Sequence, residues 1–179
     1  MRVITGKARG KKLREPDGLG IRPTTDMVKE SIFNIIQFDI EGRRVLDLFA
    51  GTGQLGIECL SRGAKDATFV DRDRDAVNLV KTNLKSCGME ARVVNDDSIS
   101  FLSRGGSYDL IFIDPPYATD LIDQALKIIK SVDILSDGGI IICESARDKS
   151  MPDMQPPYYK KKEYNYGKVK ITTYGKETV

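Results

Sequence analysis

The feature that most constrains the fold is a series of five short apolar runs, at 43–49, 67–71, 91–95, 108–114 and 138–144. Between them lie stretches that are expected to form helices, at about 53–62, 73–87, 97–103 and 119–132. In the last of these, apolar residues recur three and four positions apart. Strands that alternate with helices predict an α/β fold built from βαβ units, with a mostly parallel sheet and helices on both faces.

Both ends of the chain add elements to this pattern. An amphipathic helix is expected ahead of the first strand, from about Thr25 to Phe38. After the fifth strand, KKKEYNYGKVKITTYG predicts two strands joined by a turn from Asn165 to Gly167. A C-terminal antiparallel hairpin therefore completes a seven-stranded sheet. Thr119 or Asp120 is expected to cap the last helix, and the Asp-Gly-Gly at 137–139 to break the chain before the fifth strand.

The charge is distributed as two basic ends around an acidic centre. Residues 1–29 hold eight Lys/Arg against three Asp/Glu, residues 147–176 hold eight against three, and residues 30–146 hold twelve against nineteen. A length of 179 residues fits one domain. We therefore expect a basic N-terminal arm over 1–24 and a single domain over 25–179. The basic ends favour a polyanionic partner, although ordinary solvated termini would give the same pattern.

Composition excludes several classes of site. The chain has no histidine, which excludes a histidine-based triad and histidine–metal chemistry. Its three cysteines are widely spaced in apolar contexts, which is typical of reduced core residues, so neither a disulfide framework nor a metal site is expected. The apolar runs are too short to span a bilayer, and MRVITGKARG has no signal-type apolar stretch. A soluble, cytoplasmic protein is expected.

The segment YDLIFIDPPYATD ends a strand with an unusual group of residues. The run 110–113 has no polar alternation, as expected of a central parallel strand. Because proline cannot donate to a strand ladder, Asp114 must stand at the carboxyl end of the strand, with Pro115 and Pro116 beyond it. Ligands bind at that edge of an α/β sheet, and the two prolines would hold the nearby acceptors still beside Tyr117. A proline-stiffened turn with a capping aspartate is the alternative interpretation.

A glycine-rich loop follows the first strand. VLDLFAGTGQLG places Gly51, Gly53 and Gly56 in G-x-G-x-x-G spacing, which suits a dinucleotide or another nucleoside cofactor. Asp71, at the end of the second strand, could accept hydrogen bonds from ribose hydroxyls in either case. Asp47 distinguishes a dinucleotide from another nucleoside cofactor, since a carboxylate beside the loop disfavours a pyrophosphate and suits a cationic ligand. S-adenosylmethionine carries an ammonium and a sulfonium and has no phosphate.

A further carboxylate is expected at the same edge of the sheet. Asp97 lies just past the third strand and could accept a hydrogen bond from the amino group of adenine, as could the adjacent Asp96. Together with Asp47, Asp71 and Asp114, it places aspartates at four strand ends. Any one of them could be a helix cap or a loop residue. Four at one edge favour a binding site.

These motifs resemble the class I S-adenosylmethionine-dependent methyltransferases, and within them the RsmD family, which methylates the N2 amino group of one guanine in bacterial 16S rRNA. The resemblance runs through RVITGKARGKKL, RPTTDMVKESIFNII, LDLFAGTGQLGIECLSRGA, DPPY and YGKVKITTY, over nearly the full length. It implies a Rossmann-like methyltransferase domain over 25–179, S-adenosylmethionine as cofactor and no metal. The implied partner is 16S rRNA in a small-subunit particle or assembly intermediate, and nothing in the sequence demands more than a monomer. The family commonly has Glu in place of Asp71.

The resemblance also implies roles for individual residues. Cofactor binding falls on the strand ends and the glycine loop, at Asp47, Phe49, Ala50, Gly51, Gly53, Asp71, Arg72, Asp97, Ser98 and Asp114. The chemistry falls on Asp114, Pro115, Pro116 and Tyr117. RNA contact is expected from the basic arm, at Arg2, Lys7, Arg9, Lys11, Lys12, Arg14 and Arg22.

Three alternative functions stay open. The DPPY motif serves both guanine N2 and adenine N6, so an adenine-N6 methyltransferase acting on DNA or RNA is the main rival. A non-catalytic RNA-binding assembly factor could keep the same fold, but the intact glycine loop and DPPY motif disfavour it. A nicotinamide-dependent oxidoreductase is disfavoured by Asp47 and by DPPY.

Overall fold

The structure is a computed structural model that describes residues 1–17 and 24–178. Over these residues the strands are β1 (Arg44–Asp47), β2 (Asp66–Asp71), β3 (Arg92–Asn95), β4 (Tyr108–Ile113), β5 (Leu135–Ala146), β6 (Tyr158–Tyr166) and β7 (Val169–Lys176). The helices are α1 (Asp26–Ile35), α2 (Gln54–Ser61), α3 (Arg74–Ser86), α4 (Ser98–Ser103) and α5 (Leu121–Val132).

The strands form one sheet in the order β3-β2-β1-β4-β5-β7-β6. The first five strands of the chain pair in parallel, while β7 runs antiparallel to both β5 and β6. The direction of strand progression reverses between β1 and β4, which is the position where ligands bind in open α/β sheets. The predicted class, a mostly parallel seven-stranded sheet closed by a C-terminal antiparallel hairpin, is confirmed.

Helices cover both faces of this sheet, as predicted. One hydrophobic core joins the N-terminal arm and α1, α2 and α3 to the sheet, and the other joins α4 and α5 to the opposite face. Strand β4 contributes Leu110 and Phe112 to the first core and Ile111 and Ile113 to the second, since successive side chains of a strand point to opposite faces. Within the described ranges, no helix is long and apolar enough to cross a membrane.

Helix α1 begins as predicted and ends three residues early. The Thr25 side chain accepts a hydrogen bond from the Val28 N–H and caps the helix. Beyond Ile35, the Asp39 N–H donates to the Ile36 carbonyl at 2.8 Å and turns the chain away. Phe38 therefore lies outside the helix, where it is 90% exposed.

Strand β5 differs from the sequence prediction at its start. It begins at Leu135 and contains the Asp-Gly-Gly at 137–139, which was expected to break the chain ahead of the strand. The register with β4 shifts between Tyr108 and Leu110, so the extra residues are accommodated as an irregularity in the pairing. The predicted break is wrong because the glycines permit a bulge within a continuing strand.

Two local predictions near the ends of elements are confirmed only in part. The hairpin turn includes Gly167 as predicted but is formed by Gly167 and Lys168, because Tyr166 still pairs with Val169. At α5, Asp120 occupies the predicted cap position, but its side chain makes no capping hydrogen bond within the described structure. The Thr119 hydroxyl donates to the Pro116 carbonyl at 2.9 Å, so that it closes the turn after β4 and does not cap the helix.

The N-terminal arm, described over 1–17, folds against the domain. Arg2 and Lys12 form an antiparallel bridge, and Val3, Ala8 and Leu13 are buried in the first core. A backbone turn also lies tightly against α2, where Gly6 has a φ of 88° and a Cβ would lie 1.9 Å from the Ser61 carbonyl oxygen. The arm is therefore docked through side chains and backbone alike.

A buried ion pair fixes the arm to two helices. Lys29 of α1 and Glu58 of α2 are both 0% exposed and lie 3.2 Å apart. Burial lowers the pKa of Lys29, and the Glu58 carboxylate opposes that shift. Glu58 also accepts hydrogen bonds from the N–H groups of Ile4 and Thr5, at 2.8 and 2.9 Å, and from Arg62 at 2.9 Å. One carboxylate thus joins the arm, α1 and α2.

We predict that Glu58→Ala destabilises the fold by about 3–5 kcal/mol, because it leaves the Lys29 ammonium buried without its carboxylate. Urea denaturation measures the loss, and hydrogen exchange of the Ile4 and Thr5 amides should show that the arm is released. Asp153→Ala is the control, since the Asp153–Lys160 pair is exposed and should contribute little to stability. A loss below about 1 kcal/mol for Glu58→Ala would show that the pair does not hold the arm.

Candidate active site

The carboxyl ends of neighbouring parallel strands carry the four predicted aspartates. Asp47 ends β1 and Asp71 ends β2, while Asp97 and Asp114 follow β3 and β4. The strand order places them along one edge of the sheet in the sequence 97, 71, 47, 114. Within residues 1–17 and 24–178, no group of three or more acidic or cysteine side chains is arranged to hold a metal ion.

Asp47 is a buried acid at the centre of this edge. It is 2% exposed, and its carboxylate accepts a hydrogen bond from the Gly56 N–H in the first turn of α2 at 3.1 Å. Burial, with a smaller contribution from the Asp71 charge, raises the pKa of Asp47 to about 7. The ionised carboxylate is thus held in a place where a nearby cation would stabilise it.

The glycine loop between β1 and α2 has the geometry of a cradle. Gly51 and Gly53 have φ values of 54° and 78°, a region that side-chain-bearing residues rarely adopt. A Cβ built on Gly51 meets nothing within 4 Å, so the loop backbone faces open space. Phe49 is half-buried and Ala50 is buried at the entry to the loop. These features fit a nucleoside ligand that approaches the backbone closely.

Asp71 links this loop to the turn after β2. One of its carboxylate oxygens accepts from the Gly51 N–H and the other from the Asp73 N–H, both at 2.9 Å. Asn95 donates to the carbonyls of Asp71 and Arg72, while Arg72 itself is exposed. Asp71 therefore shapes the loop. Its predicted contact with a ribose stays a proposal.

The predicted adenine end of the site is built around the start of α4. Asp97 is exposed and caps α4 by accepting from the Ser100 N–H at 2.9 Å. Ser98 is buried, and its hydroxyl donates to the Leu48 carbonyl. Asp96 forms an ion pair with Arg104. Of the two neighbouring aspartates, Asp97 is the more exposed at this edge.

The DPPY motif meets two residues that the sequence analysis did not single out. The Thr24 hydroxyl lies 3.3 Å from Asp114 Oδ2 and 3.0 Å from Glu144 Oε2, and it can donate to either carboxylate. The Tyr117 hydroxyl donates to the other Glu144 oxygen at 3.2 Å. Pro115, which stands between Asp114 and Tyr117 in the sequence, is buried. Two acidic side chains and an aromatic ring therefore meet at the end of β4.

The two carboxylates influence each other. Burial first, and then the negative charge of Glu144, raise the pKa of Asp114 well above its usual value, while the Thr24 hydroxyl opposes the shift. Because a hydroxyl has one hydrogen, Thr24 can serve only one of the two carboxylates at a time. The cluster is therefore rich in acceptors, and it favours a partner that brings N–H donors or positive charge.

An open pocket of about 430 Å³ lies beside this cluster, and Asp114 and Thr24 do not line it. Pro115, Pro116, Tyr117 and Glu144 contribute to its wall, and Asp148 also lines it. Glu144 could have been found from the sequence by aligning strand ends. It stands one residue beyond Cys143, which pairs with Ile113, just as Asp114 stands one residue beyond Ile113.

The basic residues of the arm are exposed, and the arm ends beside the glycine loop. The Arg14 N–H donates to the buried Asn83 side chain at 2.8 Å, and that side chain donates to the Thr52 carbonyl of the loop at 2.9 Å. Arg22 lies outside the described residues. The exposed basic residues predicted to contact RNA are Arg2, Lys7, Arg9, Lys11, Lys12 and Arg14.

Comparison with known proteins finds relatives along nearly the whole chain. A family model described as Conserved hypothetical protein 95 matches residues 1–175. The Bacillus subtilis protein YlbH is 40% identical over 182 residues, covering 98% of this chain and 99% of that protein. The ribosomal RNA small subunit methyltransferase D of Escherichia coli K12 is 36% identical over 179 residues, covering 99% of this chain and 90% of that protein. The solved structure of Escherichia coli yhhF matches with a TM-score of 0.90 at 36% identity, covering 100% of this chain and 99% of that one.

We predict that Asp47→Asn stabilises the chain and weakens binding of S-adenosylmethionine, the cofactor that the resemblance implies. The folded-state pKa of about 7 lies above the unfolded value of about 3.9, so burying the acid becomes unfavourable as the pH rises through this window. The gain in unfolding free energy should be absent below about pH 4 and reach up to about 4 kcal/mol above pH 7. Cofactor affinity should fall about tenfold or more with the lost charge.

Thermal unfolding across pH and calorimetric titration measure the two effects of Asp47→Asn. Asp109→Asn is the control, because Arg44 holds the pKa of Asp109 below its usual range. That substitution should lower stability above about pH 4 and leave cofactor affinity unchanged. An Asp47→Asn protein that binds the cofactor as tightly as wild type would contradict the assigned role.

Proposed function

This chain belongs to the RsmD family, whose family model is described as Conserved hypothetical protein 95, and we propose that it transfers a methyl group from S-adenosylmethionine to the N2 amino group of a guanine in bacterial 16S rRNA. The observation that carries the proposal is the acceptor cluster of Asp114, Tyr117 and Glu144 at the sheet edge that also carries the glycine loop. All of these groups come from one chain, which suits an enzyme that acts as a monomer, and we also propose that it works in the cytoplasm, where 16S rRNA is found.

The residues that would hold the cofactor lie along the edge from β3 to β1. The Asp47 carboxylate lies where a cationic group would relieve its burial, Asp71 would accept from ribose hydroxyls, and Asp97 would accept from the adenine amino group. The backbone at Gly51, where a Cβ would meet nothing within 4 Å, allows close approach, while Gly53 packs closely against Val80. When bound, S-adenosylmethionine supplies a methyl group on a positively charged sulfur.

Asp114 positions the nucleophile. The lone pair of guanine N2 is delocalised into the ring, so the amino group is a poor nucleophile unless its geometry is controlled. Asp114 and the Pro115 carbonyl accept the two amino hydrogens, which orients the nitrogen and stabilises the positive charge that develops on it. Positioning of this kind can supply roughly 7–11 kcal/mol of a barrier.

The same carboxylate can take up the proton that N2 loses. As the bond between N2 and the methyl carbon forms, the bond from that carbon to sulfur breaks and N2 becomes positively charged. One of its hydrogens then leaves as a proton, either to Asp114 or to water. Burial and Glu144 raise the pKa of Asp114, which makes it a stronger base than an ordinary aspartate once it is ionised.

Tyr117 receives the base. Tyr117 is 38% exposed, its hydroxyl donates to Glu144, and the residue lines the pocket wall, so one face of its ring is accessible to a base. Extruding a base from its surroundings costs a few kcal/mol, and stacking on an aromatic ring is worth about 1–3 kcal/mol. Tyr117 therefore offsets part of the energy needed to present the guanine.

The basic arm supplies contacts to the RNA backbone. Its exposed Lys and Arg side chains suit phosphate oxygens, which position a substrate without reading its sequence. The described residues form one α/β domain with the arm docked on it. We propose that the enzyme recognises the folded shape of a small-subunit particle or assembly intermediate. The folded RNA decides which unpaired bases are exposed, and those are the bases that proteins can read.

We predict that Asp114→Asn lowers methyl transfer to small ribosomal subunits at least about 100-fold, since it removes both the charge and the proton acceptor. The assay follows labelled methyl from S-adenosylmethionine, and mass spectrometry identifies the modified nucleoside as N2-methylguanosine. Subunits and deproteinised rRNA are taken from cells that lack the enzyme, so that the target is unmodified.

Asp148→Asn serves as the control, since Asp148 lines the same pocket but lies outside the DPPY motif and should keep activity within about threefold of wild type. Full activity in Asp114→Asn would remove that carboxylate from the mechanism. N6-methyladenosine as the product would favour the adenine enzyme. Cofactor binding without transfer to either substrate would favour the non-catalytic assembly factor.

We predict that replacing Arg9, Lys11 and Lys12 together with alanine weakens binding to small subunits about tenfold or more and reduces its salt dependence, because fewer phosphates are neutralised. Filter binding at several salt concentrations measures both. The control replaces three exposed helix lysines, Lys81, Lys85 and Lys127, and so removes the same charge elsewhere. Equal losses in the two triple variants would mean that net charge, and not the arm, attracts the RNA.

A further inference from the structure

We infer that Glu144 is a specificity-determining residue that selects guanine by accepting a hydrogen bond from its N1–H while Asp114 accepts from N2. The inference rests on the proposed function and deepens it. It concerns the choice between guanine and adenine, which the DPPY motif leaves open because that motif serves both amino groups.

The placement of Glu144 follows from the sheet. Strands β4 and β5 are parallel neighbours in which Ile113 pairs with Cys143, so Asp114 and Glu144 are the next residues along adjacent strands. Both carboxylates come within hydrogen-bonding distance of the one Thr24 hydroxyl, at 3.3 and 3.0 Å. Two acceptors therefore stand side by side at the end of the sheet.

Glu144 is held firmly and still lines the pocket. It is 7% exposed, its two oxygens are contacted by the hydroxyls of Thr24 and Tyr117, and it forms part of the pocket wall. An ionised carboxylate has about four acceptor positions on its two oxygens. The Tyr117 contact also fixes the carboxylate relative to the ring on which the base stacks.

The edge of guanine matches this pair of acceptors. Guanine carries N1–H and the N2 amino group next to each other, and both are donors. Burial and the charge of Glu144 raise the pKa of Asp114, and two N–H donors of guanine would offset both effects. Adenine carries its N6 amino group beside an N1 lone pair, which would face a carboxylate without a hydrogen between them. A buried acceptor left in that state penalises the wrong base strongly.

The test replaces the target guanine with 2,6-diaminopurine, which keeps the N2 amino group and has no N1–H. Small subunits are reconstituted with rRNA that carries either base at the position identified by mass spectrometry. Single-turnover methyl transfer to N2 is then measured over a range of pH, because a protonated carboxyl could itself donate to the purine N1. Wild-type enzyme should prefer guanine by about 100-fold, the range expected for a lost hydrogen bond to a charged group.

Glu144→Gln supplies the matched variant. Glutamine keeps the size of the side chain, and its single oxygen can accept from either the Tyr117 or the Thr24 hydroxyl, while its amide NH2 can donate to a purine N1. The preference for guanine should fall at least tenfold in Glu144→Gln, chiefly through a slower reaction with guanine. Glu144→Asp keeps a carboxylate and should therefore keep the preference at a lower rate.

A wild-type preference within threefold, or an equal preference in wild type and Glu144→Gln, overturns the role of Glu144. If Glu144→Gln reacts with neither base, a large preference retained in Glu144→Asp supports the role and its loss there overturns it. Failure of wild-type enzyme to methylate the guanine-containing subunits would instead overturn the proposed function itself. Thermal unfolding and cofactor titration of each variant confirm that it is folded.

Discussion

The constraint on which the site depends is the convergence of like-charged carboxylates at one edge of a parallel sheet. Parallel strands bring their carboxyl ends together, so acids at those ends repel one another unless each has its own donor. The backbone supplies these donors to Asp47, Asp71 and Asp97 through N–H groups at the starts of helices and turns. Side-chain hydroxyls supply them to Asp114 and Glu144. The loops around the edge are shaped by that requirement.

The two buried acids Asp47 and Asp114 indicate which kinds of ligand the site favours. Burial leaves the pKa values of Asp47 and Asp114 raised, which means that the fold tolerates both acids at a loss of stability when they ionise. The cationic cofactor proposed beside Asp47 and the donor-bearing base proposed beside Asp114 would each offset one of these unfavourable burials. The electrostatics of the free protein and the chemistry of the two proposed ligands are therefore complementary, as expected where function is placed ahead of stability.

Local sequence signals were enough for the alternation of strands and helices, for the C-terminal hairpin and for the aspartates at the strand ends, because apolar runs and strand ends are encoded within a few residues. The contacts that complete the site are different in kind. Thr24 and Glu144 meet across 120 residues of sequence, and their meeting depends on the register of β5, whose start was predicted wrongly. Likewise, no short sequence pattern predicts that Lys29 and Glu58 form an ion pair in the core. Such contacts depend on tertiary packing, which the hydrophobic periodicity of the sequence does not predict.

The N-terminal segment connects the surface proposed to contact RNA with the proposed catalytic residues. Glu58 fixes its first turn to the core, Asn83 holds Arg14 beside the glycine loop, and Thr24 lies at the Asp114–Glu144 pair. The phosphate contacts proposed for the arm and the hydroxyl that lies near both carboxylates thus belong to one stretch of chain. Binding energy gained far from the target base can in this way favour the arrangement of acceptors that the reaction requires, which is how remote contacts raise the rate of a chemical step as well as affinity.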